Sequence, residues 1–129
     1  MREILFRGKR TNNGEWVEGF YLNRTNDEEN IHCIMEKFPV TIGKKVIPET
    51  VGQYTGLTDI NGKRIFEGDI CLCDRNINDH IDKRTYIITF DALKGWYGES
   101  KDGWSEFSGS SFELAEVIGN IHDNPELLN

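Results

Sequence analysis

The sequence predicts an all-β protein, a small β-barrel or sandwich of short antiparallel strands with few or no long helices. Three observations carry that expectation. No stretch has the 3.6-residue apolar stripe of a long helix, whereas residues 2–7 alternate with the two-residue period of a half-buried strand. Runs such as Arg84 to Asp91 are rich in Thr, Tyr, Ile and Phe, whose branched or flat side chains suit a pleated surface. Gly, Asn and Asp punctuate these runs at short intervals, where turns need residues that tolerate unusual backbone angles.

Taken in order, residues 2–7 place Ile4 and Phe6 on one side and Glu3, Leu5 and Arg7 on the other. Thr11-Asn12-Asn13-Gly14 is a turn, and the return strand runs from Trp16 to Asn23, giving a first hairpin. Residues 24–30, RTNDEEN, read as an exposed loop. Ile31 to Glu36 and Phe38 to Ile42 follow as β runs, the second an edge strand because Pro39 lacks a ladder donor. Gly43-Lys44-Lys45 reads as a turn, and Pro48 to Val51 as a single helical turn, since Pro suits the first helical position. Asp59-Ile60-Asn61-Gly62 fits a type I turn closed by a bulge, with a two-residue Asn61-Gly62 turn as the competing register. Lys63 to Phe66 then forms a hairpin arm, and Gly68 marks a bend before a buried strand from Asp69 to Cys73. Residues 74–83 read as a polar loop before the strand from Arg84 to Asp91. Gly95 to Glu99 and Trp104 to Phe107 form a second aromatic hairpin across Ser100 to Gly103. Ser108 to Ser111 is a polar loop, and Leu114 to Ile121 is the last strand before Pro125.

With 129 residues the chain suits one domain, divided into an N-terminal β part of about 1–56 and a barrel-like C-terminal part of about 57–129. The formal charge of −7 is uneven: residues 1–58 carry eight cationic and eight anionic side chains, and residues 59–129 carry seven and fourteen. An acidic half repels a polyanion, so nucleic acid is an unfavoured partner, with Arg7, Lys9 and Arg10 as the one basic patch. No stretch is long and apolar enough for a signal peptide or a membrane span, and Cys33, Cys71 and Cys73 are an odd number without disulfide spacing. Both point to a cytoplasmic protein.

Glu67 and Asp69 lie two apart, so an extended backbone would put both carboxylates on one face, where they could share a cation or a proton. The structural reading is that Glu67 ends a strand and Asp69 accepts backbone N–H groups to fix the bend at Gly68. Cys71 and Cys73 would also share a face, and His32, His80 and His122 are possible co-ligands, but no pair has zinc-knuckle spacing. No nucleophile elbow is present, so no catalytic residue, metal or cofactor is assigned. Trp96, Tyr97, Trp104 and Phe107 form either a core or an interaction surface.

From Thr50 through Val51-Gly52-Gln53-Tyr54-Thr55-Gly56-Leu57, then Asp59, Asn61-Gly62-Lys63, Ile65 and Glu67-Gly68-Asp69-Ile70, the chain resembles the YopX family of bacteriophage and prophage proteins. The opening Arg2 to Arg7, the run Glu116 to Ile121 and the ending Asn124 to Leu128 extend the resemblance over the whole chain. Two positions depart from the family pattern: Gly8-Lys9 stands where an aromatic often follows Phe-Arg, and Cys71 where Val is common. The resemblance implies an all-β fold, an origin in a phage or prophage of a bacterial host, and self-association. It implies no catalytic residues. The expectation is therefore a non-enzymatic accessory protein that binds itself and a host or phage protein, with Gln53, Tyr54, Glu67, Asp69, Trp96 and Trp104 as candidate ligand or partner surface. The alternative is a metal- or ligand-dependent enzyme or binder using Glu67 and Asp69.

Overall fold

The Asn13-Gly14 turn starts the first sheet. In the computed structural model, which describes residues 4–25, 30–36, 43–77, 80–101, 103 and 106–128, Arg10 N–H donates to Glu15 O at 2.9 Å and Gly14 N–H to Arg10 O at 3.0 Å. The Asn13 side chain accepts from Glu15 N–H at 3.0 Å, satisfying a donor that the turn would leave open. The chain divides into two units, Met1–Tyr54 and Thr55–Asn129.

The first unit contains β1 (Phe6–Lys9), β2 (Trp16–Thr25), β3 (Asn30–Met35), β4 (Lys44–Lys45) and the start of β5 (Gly52–Thr58). They pair antiparallel in the order β4-β3-β2-β1-β5. Val17, Ile34 and Val46 are buried between Phe6, Tyr21 and Val51. Three expectations change here. Residues 4 and 5, expected in the first strand, precede β1, with Leu5 buried and Ile4 exposed. The residues after Gly43 form a short edge strand, because their backbones pair with Cys33 and Ile34. Residues 24–30 lose their ends to β2 and β3. Phe38 to Ile42 lies outside the described residues, and Pro48–Thr50 is a 3-10 turn.

The second unit contains the rest of β5, then β6 (Arg64–Phe66), β7 (Asp69–Ile77), β8 (His80–Asp91), β9 (Gly95–Glu99), β10 (Glu106–Ser108) and β11 (Ala115–Asn120). Its five-stranded antiparallel sheet runs β10-β9-β8-β7-β11, and among the described residues it does not close into the expected barrel. Ile65, Cys71, Cys73, Tyr86, Ile88, Phe112 and Ala115 form its core, with Leu57, Trp96 and Val117 packed against them. Each large side chain buried there stabilises the fold by about 1.5–3 kcal/mol. Residues 74–77 and 80–83 are paired strand rather than loop: β7 and β8 continue in register through Asp74↔Lys83 to Ile77↔His80. The charges at Asp74 and Lys83 are opposite and face each other across the ladder, which supports pairing without an apolar face. The expected polar loop Ser108 to Ser111 is instead the end of β10 and the start of a 3-10 segment, Gly109–Leu114, that delivers Phe112 to the core. Among the described residues no helix is long and apolar enough to cross a membrane.

Candidate functional site

The central stretch is held by two aspartates. Asp59 starts a turn in which Gly62 N–H donates to Asp59 O at 3.0 Å and Asp59 N–H to Lys63 O at 2.8 Å, the bulged type I arrangement. Gly62 takes the left-handed φ of 79° that this turn needs. One Asp59 oxygen accepts from Asn61 N–H at 2.9 Å and Lys63 N–H at 2.8 Å, and the other from Val117 N–H on β11 at 2.9 Å. Ile60 N–H donates back to Ala115 O at 2.9 Å. The turn thus covers the outer edge of β11, an edge that would otherwise expose unpaired backbone groups. Burial pushes the Asp59 carboxyl up, but the N–H donors of Val117, Lys63 and Asn61 and the Lys63 ammonium outweigh it and hold it below the ordinary value.

The backbone at Glu67-Gly68 is a turn, with φ of 88° at Gly68, so the two carboxylates enter different surroundings. Glu67 is exposed, whereas Asp69 is 1% exposed and accepts from Phe66 N–H at 2.8 Å. Gly68 donates to Ile88 O and accepts from Ile121 N–H, both at 2.9 Å, so the turn is sewn to β8 and the chain beyond β11. Gln53 is half-buried on β5 opposite Phe6, and Tyr54 is 8% exposed with its N–H donating to Leu5 O at 2.7 Å. Trp96 packs against the second core and meets Phe90 edge to face at 5.1 Å. Trp104 lies outside the described residues. Cys71 and Cys73 both point into the core, and burial, with Asp69 nearby, pushes the Cys71 thiol well above its usual range, so it stays neutral. Among the described residues no three His, Cys, Asp or Glu side chains gather where they could hold a metal.

A different surface brings apolar and basic groups together. Along β2 the core side carries Val17 and Tyr21, so Trp16, Glu18, Phe20, Leu22 and Arg24 take the other face. Phe20 is 50% and Leu22 43% exposed. Register extends the strip: Phe20 lies opposite Met35, Leu22 opposite Cys33, Arg24 opposite Ile31, and Cys33 opposite Lys45. Arg24 and Lys45 are exposed. At the other end Arg7 and Lys9 lie 4.7 Å and 5.7 Å from the Trp16 ring, cation–π contacts that hold both cations on this face. The result is an apolar strip with basic ends, suited to desolvating against an apolar, acid-rimmed surface. Sequence alternation located these residues on a strand but could not tell which face met the core.

The comparisons bear on what carries this surface. The family model described as YopX protein matches residues 5–129. The chain belongs to the YopX family. No curated protein matches it. Among solved structures, this YopX chain is similar to protein EF1440 from Enterococcus faecalis, with a TM-score of 0.58, 25% identity and 100% of each chain covered. The matched range includes the central stretch that builds the Asp59 and Gly68 turns. The sequence missed one further feature of this YopX fold, an open cleft of about 530 Å³ lined by Ile87, Thr89, Glu99, Ser100, Lys101 and Gly103. Its residues come from separate stretches with no motif spacing, and neither Glu67 nor Asp69 lines it.

Proposed function

We propose that this YopX protein is a non-enzymatic accessory protein of a bacteriophage or prophage that works by binding protein, as a homo-oligomer and with a host or phage partner. The observation that supports this reading is the open face of the first sheet, where Phe20 and Leu22 stand exposed beside Met35 and Cys33 and between cations. A contiguous apolar strip of this kind is the usual mark of a contact surface. The chemistry that an enzyme would need from the central stretch is otherwise engaged: Asp69 is committed to a backbone N–H, and the Cys71 thiol is neutral within the core. The test is sedimentation velocity across a concentration series, with the 14.9 kDa monomer as reference. The expected result is concentration-dependent association of the wild type, lost in Phe20→Asp with an unchanged melting temperature. A wild type that stays monomeric up to about 1 mM, far above the dissociation constant of a specific contact, would overturn the self-association.

A further inference from the structure

We propose that the open cleft of the second unit binds a small apolar α-amino acid, held through its ammonium and its carboxylate together. This goes beyond the protein-binding reading and does not depend on it. The cleft holds about 530 Å³, a volume usual for small-molecule sites, and all of its lining belongs to the second unit. Tyr86 and Ile88 point into the core, so Ile87 and Thr89 take the other face of β8 and make the floor. The wall comes from the end of β9. Glu99 lies opposite Ile87 in the ladder, and Ser100 to Gly103 form a turn in which Gly103 N–H donates to Ser100 O at 2.9 Å. Gly103 has a left-handed φ of 75°, and a Cβ there would stand 3.7 Å from Glu99 Oε1, so the turn lies beside the carboxylate.

Unfilled hydrogen-bonding capacity selects the ligand. Among the described residues the half-buried Glu99 carboxylate accepts only from Tyr97 O–H, at 3.5 Å, and the half-buried Thr89 hydroxyl makes no hydrogen bond. An ammonium carries three donors and can give one to the carboxylate and one to the hydroxyl. Lys101 is exposed at the rim, two positions from Glu99, a separation of about 7 Å in extended chain. The two charged groups of an α-amino acid share one carbon, and with a hydrogen bond of about 2.8 Å at each end they bridge that span. Glu99 and Lys101 are opposite in sign, so the lining has no net charge and favours a zwitterion over a bare amine or acid. Ile87 gives an apolar side chain a surface to cover. Lys94 stands over the Tyr97 ring, 4.8 Å from its centroid, and does not line the cleft.

Titration of the full chain with L-leucine, followed through backbone amide signals in two-dimensional NMR, tests this. Saturable shifts are expected at Ile87, Thr89, Glu99, Lys101 and Gly103, with a dissociation constant of about 1 mM, as suits so small a ligand in an open site. Isopentylamine lacks the carboxylate and isocaproate lacks the ammonium; each is expected to bind at least about tenfold more weakly. Glu99→Gln and Lys101→Met should each weaken leucine binding by about tenfold at an unchanged melting temperature, since neither residue is buried. No saturable shift up to about 20 mM leucine, well above that constant, would overturn the proposal. So would the amine or the acid binding as tightly as leucine, which assigns the cleft to a single charge, or leucine binding that survives in both variants. Should a variant unfold, leucine against the amine and the acid on the wild type still decides.

Discussion

Asp59 is the residue on which most of the central stretch depends. The residue is 5% exposed and its carboxylate accepts three part-buried backbone N–H bonds, so replacing it leaves those donors without this partner. Asp59→Asn keeps one acceptor oxygen and is expected to lower stability at pH 7 by about 2 kcal/mol, read by urea unfolding. The pH dependence has a definite sign. Because the folded pKa lies below the ordinary 3.8, the carboxylate contributes its full stability above that value and loses it as pH falls through the folded pKa. The gap between wild type and Asp59→Asn should therefore narrow below about pH 4. If the two curves stay parallel down to pH 2, the charge-assisted role of Asp59 is wrong. Cys71 gives a second residue-scale expectation: under native conditions iodoacetamide should label the half-buried Cys33 well before Cys71, as peptide mapping would show.

At the scale of elements, close approach separates two glycines that look alike in sequence. A Cβ on Gly19 would stand 2.0 Å from the Met35 carbonyl oxygen, a backbone atom of β3 that cannot move without opening the sheet. A Cβ on Gly119 would meet Asn124 Oδ1 at 2.6 Å and Leu127 Cδ1 at 2.9 Å, both side-chain ends that can turn away. Gly19→Ala should thus cost about 3 kcal/mol or more and Gly119→Ala about 1 kcal/mol, an order that thermal melting would check. The same contrast marks what the sequence could reveal. The Asp59 turn was legible because Asp, Asn and Gly each have one favoured place in a bulged turn. The outer part of the β7–β8 pairing was not, because beyond the core residues Cys73 and Tyr86 it continues with Asp74 facing Lys83. Glu67 and Asp69 looked like a pair only on the premise of extended backbone between them, and Gly68 breaks that premise. Phe20 and Leu22 could be assigned to a strand, but their exposure depends on the burial of Val17 and Tyr21 against Ile34 and Val46, which no local pattern encodes.

For the whole molecule, the 22 carboxylates and 15 cations set how salt acts. Self-repulsion in the acidic half opposes folding, and screening it at about 0.15 M salt, where the Debye length is near 8 Å, should raise the melting temperature. Association through the cations at the ends of the first sheet's open face should weaken over the same range. Melting and sedimentation measured in parallel from low to moderate salt are expected to move in opposite directions. A joint rise would show that association does not use those cations. The bond from Val117 to Asp59 spans 58 residues, and this separation bears on how the protein is made. During synthesis the turn at Asp59 leaves the ribosome long before β11 exists, so the carboxylate waits with one of its donors still untranslated. A chain stopped short of β11 is left with that acid lacking its Val117 donor and with β7 lacking its outer neighbour, a form open to aggregation and proteolysis.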